Sequence, residues 1–353
     1  MKKLFPYILF TIGFIFFNSC VEDNISPPFT GELYPAAEIL VYFESQGDFV
    51  NSNLAPALID AQEVFANITG YLIIDLRSAS DFSSGHIEGA LNVQSDSLYN
   101  FMMSIDAGSY PKIILVDKNG QGSAYFTCLL RLARFNNVYT MKYGMASWNQ
   151  FFADEWLGVL GDAIDVESYT NTDFPRNDLT DLPLVSFDDP NSSLPDRVNS
   201  RIKKIINEGF RSLENLPSPG NAYIICYGKM RLFYARRFIV LEGRGHPSGA
   251  RLYMDTPDFE FKSGNYLQSL PNDQPICIYG YDGQQSACMT AYLRVLGYNA
   301  TSLLFGANQL FYSRMIDEPD LREYAFSSLK INNFPYVTGR MKAIVNGFNS
   351  ENF

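Results

Sequence analysis

Short, almost wholly apolar runs recur along the chain at 71–75, 112–116, 137–141, 223–227, 275–279 and 301–305. None alternates between apolar and polar residues, as a strand with one wet face would. Continuous apolar runs of this length mark strands covered on both faces. Between them lie longer stretches, at 61–67, 123–134, 196–208 and 286–296, whose apolar residues recur at helical spacing. In 123–134 these residues are expected on a single face. Strands alternating with helices predict an α/β fold, a mostly parallel sheet with helices on both faces.

The pattern occurs twice. The only two histidines stand in matching phrases, Gly85-His86-Ile87-Glu88-Gly89-Ala90 and Gly245-His246-Pro247-Ser248-Gly249-Ala250. Further on, Gly120-Gln121-Gly122-Ser123-Ala124 matches Gly283-Gln284-Gln285-Ser286-Ala287, and Leu130-Arg131 matches Leu293-Arg294. The nearly constant offset predicts two homologous domains, over 36–165 and 185–331. A polar, proline-bearing linker at 166–184 that could wrap one domain joins them, and a tail at 332–353 follows.

The N-terminus departs from this pattern. Lys2 and Lys3 precede an apolar run at 4–17 that is too short and too early for an ordinary membrane span. It ends at Asn18-Ser19-Cys20. This resembles a bacterial lipoprotein signal over 1–19, which implies acylation of Cys20 and a tether over 20–35. The acidic pair Glu22-Asp23, with Val21 directly after the cysteine, implies an outer-membrane or surface address rather than the inner membrane. The alternative is a plain secretory peptide with Cys20 a bystander.

The chain carries 38 acidic and 27 basic residues, a net charge of −11. That argues against a nucleic-acid backbone as partner. Two histidines and five scattered cysteines without a Cys-x-x-Cys pair suggest neither a metal site nor a cofactor. The four cysteines after Cys20 sit in apolar stretches and are expected as buried thiols.

The run Ile73-Ile74-Asp75-Leu76-Arg77, then Asp81-Phe82, then Gly85-His86-Ile87-Glu88-Gly89-Ala90 resembles the rhodanese (thiosulfate sulfurtransferase) superfamily, as does the tandem arrangement. The second copy is fainter, with Cys226-Tyr227-Gly228 where the Asp-x-Arg should stand. The resemblance implies two rhodanese-like domains, with Asp75, Arg77, Gly85, His86, Gly89, Gly245, His246 and Gly249 as structural positions. It also implies where chemistry would sit: a cysteine at the end of a strand, then a loop whose N–H groups and following helix stabilise the thiolate that carries sulfane sulfur.

Neither copy has that cysteine. The first loop reads Asp117-Lys118-Asn119-Gly120-Gln121-Gly122 and the second Gly280-Tyr281-Asp282-Gly283-Gln284-Gln285. At Asp117 the carboxylate is expected to accept the loop's own N–H groups. At Gly280 an empty nest could hold a small anion. The expected function is therefore non-catalytic, the binding of a protein or a small anion. Two alternatives stay open: a sulfurtransferase using another thiol, with Cys226 the first suspect, and a purely structural envelope protein.

Overall fold

The apolar runs are strands, and the strands assemble into two sheets of one topology. The computed structural model describes residues 33–47, 55–162, 169–234, 245–255 and 265–339. In the first half β1 (Leu58–Ile59), β2 (Leu72–Asp75), β3 (Leu91–Asn92), β4 (Ile113–Val116) and β5 (Val138–Met141) form a parallel sheet in the order β1-β5-β4-β2-β3. In the second half β6 (Ser212–Leu213), β7 (Tyr223–Tyr227), β8 (Ala250–Tyr253), β9 (Ile276–Tyr279) and β10 (Ala300–Leu303) follow the order β6-β10-β9-β7-β8. The two orders are the same, so the repeat in the sequence is a repeat in the fold. Strands β2, β4, β7 and β9 are buried at every position, as their unbroken apolar character requires.

Three helices set how the halves meet. Helix α1 (Gln121–Leu132) follows β4, α2 (Leu194–Asn207) opens the second half, and α3 (Gln284–Val295) follows β9. Helix α2 is amphipathic, capped by Ser193 and buried through Val198, Ile202, Ile205 and Ile206. Helices α1 and α3 pack against each other between the sheets. The expected single apolar face of α1 is corrected here, because α1 is buried almost along its whole length. Its polar residues turn inward and find partners. Thr127 meets the Thr140 hydroxyl at 2.8 Å, and Arg131 Nε donates to the Val138 carbonyl at 2.6 Å.

One core runs through both halves. It joins Leu72, Ile113 and Leu115 of the first sheet, through Leu129 and Tyr292 of α1 and α3, to Ile225, Ile276 and Ile278 of the second. Residues Leu33–Phe353 accordingly form one compact unit.

The expected boundaries at 35, 184 and 332 cut through this unit. Leu33–Pro35, at the end of the expected tether, pairs antiparallel with Leu184–Ser186. The expected linker is docked on the second half. Tyr169–Thr170 pairs with His246–Pro247, and the Arg176 guanidinium lies over the rings of Tyr253 and Tyr266 at 4.8 and 4.3 Å. The expected tail begins as a strap that returns to the first half. Asn332 and Phe334 donate N–H bonds to the Ser147 and Trp148 carbonyls, and Val337 exchanges a pair of backbone bonds with His86. Polar, proline-bearing composition marks these stretches as extended, but not where they dock. The signal sequence and Cys20 lie outside the described residues. Among the described residues no helix is long and apolar enough to cross a membrane.

Candidate functional site: two degenerate loops face to face

The first loop leaves β4 at Asp117 and enters α1 at Gln121. Asp117 Oδ1 accepts the Gly120 N–H at 2.6 Å and the Ser123 hydroxyl at 3.0 Å. A Cβ on Gly122 would fall 2.9 Å from Asp117 Oδ2, so only glycine lets the carboxylate lie this close to the helix start. Burial raises the Asp117 pKa and outweighs the backbone and hydroxyl donors that favour the charged form. Asn119 braces the loop, accepting the Gln121 N–H at 3.1 Å and donating to Glu155 at 3.1 Å. Lys118 points outward, its ammonium 3.4 Å from Asp81.

The second loop is filled differently. Tyr281 lies against Tyr324, ring centroids 4.0 Å apart, and its hydroxyl accepts the Lys229 N–H at 2.7 Å and donates to Asp255 at 3.1 Å. Asp282 is buried and accepts both the N–H and the side-chain amide of Gln284, at 3.1 and 3.0 Å. Gln285 is only partly buried. The space at Gly280, expected as an empty nest, is bordered by Tyr227 and Ser286. A Cβ there would already meet the Tyr227 carbonyl oxygen at 3.3 Å and Ser286 at 3.7 Å.

The two loops grip each other. Gln284 Oε1 accepts the Tyr143 N–H of the first half at 2.8 Å, and Gln121 Oε1 accepts the Phe305 N–H of the second at 2.7 Å. Each glutamine reaches over the glycine of the opposite loop. A Cβ on Gly120 would fall 2.5 Å from Gln284 Oε1, and one on Gly283 2.0 Å from Gln121 Oε1. Both glycines also hold positive φ, +87° and +83°, which side chains rarely adopt. The repeated Gly-Gln pair was visible in the sequence, but its reach across the joint was not.

The thiols lie elsewhere. Cys128, Cys226, Cys277 and Cys288 are free and buried. Cys226 sits inside β7, fully enclosed, and burial pushes its thiol up to about 12. The same cause pushes Cys277 up to about 12. A thiol held protonated and out of contact with solvent is a poor nucleophile, which weighs against Cys226 as a sulfur carrier.

The structural positions behave as a set. Arg77 clasps Asp75 through Nε at 3.0 Å and Nη2 at 2.6 Å, and Nη2 also donates to the Gly85 carbonyl at 2.7 Å. His86 stacks on Phe82 and bonds its carbonyl through Nδ1 at 2.8 Å. In the second half His246 stacks on Phe233 at the same centroid distance, 3.6 Å, with Nδ1 on the Pro247 carbonyl at 3.1 Å. With no Asp-x-Arg there, Arg314 from a later helix (Tyr312–Asp317) donates to the Gly245 carbonyl instead. No motif in the sequence pointed to Arg314. Gly89 and Gly249 both hold φ of +81° in the turns that follow. Among the described residues no group of three or more His, Cys, Asp or Glu side chains is placed to hold a metal ion.

Residues 58–151 match the family described as Rhodanese-like domain. The first half carries a rhodanese-like domain. Relatives matched in the same half are the thiosulfate sulfurtransferases GlpE of Shewanella oneidensis and of Ectopseudomonas mendocina. The first is 28% identical over 78 residues, 22% of this chain and 75% of the relative. The second is 28% identical over 95 residues, 27% of this chain and 84% of the relative. Among solved structures, a thiosulfate sulfurtransferase from Pseudomonas aeruginosa aligns with a TM-score of 0.26 and 14% identity, over 76% of this chain and 45% of its own. Asp117 lies within the matched residues.

Proposed function

We propose that this protein is a non-catalytic member of the sulfurtransferase-like group, built to bind a small anion or a protein rather than to transfer sulfur. The observation that carries this is the first loop. The N–H and hydroxyl donors that would face a cysteine sulfur and its substrate are taken by Asp117, a carboxylate that carries no sulfane sulfur. The second loop has Gly280, which brings no side chain, beside the Tyr227 backbone carbonyl. The remaining thiols are buried. With thiosulfate as donor and cyanide as acceptor, the wild-type protein is expected to form thiocyanate no faster than buffer. Turnover that disappears in Cys226→Ser would overturn the reading.

The same proposal places the protein at the cell envelope, held by lipid on Cys20 and more suited to the outer membrane or surface than to the inner membrane. The support is the Lys2-Lys3 start, the apolar run at 4–17 and the Ser19-Cys20 junction. Each buried acyl CH₂ contributes roughly 0.8 kcal/mol, so several chains hold firmly. Mass spectrometry of protein extracted from its host's membranes is expected to find Cys20 as the acylated N-terminal residue. An unacylated N-terminus beyond Cys20 would sink the anchor.

A further inference from the structure

In parallel sheets the ligand crevice lies beyond the carboxyl ends of the strands. Asp60 directly follows β1 and Lys142 directly follows β5, two strands paired side by side. A cavity of about 430 Å³ opens at that edge. Its first wall comes from Asp60, Gln62, Lys142 and Ser147 of the first half. Lys330 and Asn332, on the chain returning from the second half, make the other wall. The volume falls within the usual range for small-molecule sites, and at Tyr143 the cavity adjoins the joint where Gln284 bonds the first half.

The cavity is lined by two acidic side chains, Asp60 and Glu63, and two basic ones, Lys142 and Lys330. In a chain with 38 acidic residues, neither Lys142 nor Lys330 has a carboxylate within ion-pair distance among the described residues. Lys142 lies 5.3 Å from the centre of the Tyr143 ring, and Lys330 donates only to the Glu323 carbonyl, at 3.1 Å. Burial and then the charge of Lys142 lower the pKa of Lys330, while Asp60, Glu323 and Asp282 act in the other direction. Glu63, also on the lining, is already engaged by Lys112 and by the Tyr71 hydroxyl. Two ammonium groups thus line one cavity with no bonded counter-charge, while the Ser147 hydroxyl is spent on the Lys142 and Gly144 carbonyls.

We infer that this cavity binds a small organic oxyanion, a carboxylate or phosphate ester, held between Lys142 and Lys330. The two ammonium groups would supply charge-assisted bonds to the oxyanion, and the Gln62 amide would serve a polar body, Asn332 Nδ2 being already given to the Ser147 carbonyl at 2.8 Å. The volume favours an organic anion over a bare inorganic one. The inference rests on the binding reading above in one respect, that the ligand is held and not turned over.

Titration calorimetry on the folded wild-type protein at fixed ionic strength tests it, with malonate and glycerol 2-phosphate as probes and inorganic phosphate and chloride as controls. One saturable site per chain is expected for at least one organic probe. Lys142→Met and Lys330→Met are each expected to weaken it about tenfold or more, since each removes one charge-assisted contact. Asp60→Asn, which removes the rim carboxylate, is expected to tighten it. Lys118→Met, at the first loop, should leave it unchanged. Thermal melts confirm that the variants fold, and two independent lysine changes guard against damage at one of them. The inference fails if no organic probe binds, if inorganic phosphate alone binds, if both lysine variants bind as wild type does, or if Lys118→Met abolishes binding. A failed titration beside an inactive protein sinks the pocket alone. Thiocyanate formation by the wild type would sink the binding reading and leave the titration to be judged by itself.

Discussion

Arg77→Met is expected to destabilise the protein by about 3–5 kcal/mol, the range for breaking a buried ion pair from one side. Both side chains are almost wholly enclosed, Arg77 at 4% and Asp75 at 1% exposure. Methionine keeps much of the side-chain volume, so the loss is electrostatic. The Asp75 carboxylate stays behind with its strongest partner gone, and the Gly85 carbonyl loses its donor at 2.7 Å. The Arg77 N–H still bonds Asp75 Oδ1 at 3.0 Å, which softens the loss without cancelling it. The double change Asp75→Leu, Arg77→Met should cost clearly less than the single one, because no charge is then stranded. Denaturant unfolding of the three variants against wild type decides it. A single variant within about 1 kcal/mol of wild type would show that the pair is worth no more than a surface bridge.

The second large effect is a gain. Asp117→Cys is expected to give a protein that takes a sulfane sulfur from thiosulfate. The Gly120 N–H and the Ser123 hydroxyl, now given to Asp117 Oδ1 at 2.6 and 3.0 Å, would face a sulfur, and α1 would begin directly behind it. These favour a thiolate and should bring its pKa below about 8.5, the value of a free cysteine. Lys118, 58% exposed beside it, offers an attracting charge to an anionic donor. The thiolate attacks the outer sulfur of thiosulfate, the sulfur–sulfur bond breaks, and sulfite leaves with the electron pair. Cyanide then removes the sulfur as thiocyanate and returns the thiolate. Intact-protein mass spectrometry should find the variant heavier by one sulfur after thiosulfate. Thiocyanate formation should exceed the wild type by about tenfold or more, the scale on which about 1.4 kcal/mol of barrier reads out. An Asp117→Cys variant that stays unmodified would mean that the loop's donors do not form a sulfur site.

How much of this could be read from residues alone depends on whether the information was local. The strands at 71–75, 112–116, 223–227 and 275–279 were legible because a strand covered on both faces needs an unbroken apolar run. The loops at 117–122 and 280–285 were legible because strand, turn and helix follow one another within a few residues. The burial of helix α1 on nearly every side is not legible in its sequence. Its Thr127 and Arg131 look solvent-facing in sequence, yet they are bonded inside to Thr140 and Val138. The replacement of Arg77 by Arg314 in the second half was hidden, since the groups that meet at Gly245 are distant in the chain. Lys142 and Lys330 carry no spacing signal for the same reason. They become neighbours only when the chain past residue 330 doubles back onto the first half.

The exchange of Gln121 and Gln284 has a consequence for how this molecule is to be regarded. Gln121 meets Phe305 and Gln284 meets Tyr143, two equivalent contacts in which each half plays both parts. That reciprocity is the rule of an isologous interface, in which one surface patch binds its own copy about a two-fold axis. The protein therefore has the internal logic of a homodimer written into a single chain. Once the copies are fused they are free to differ, so Asp117 and Gly280 can diverge while the joint around them is kept.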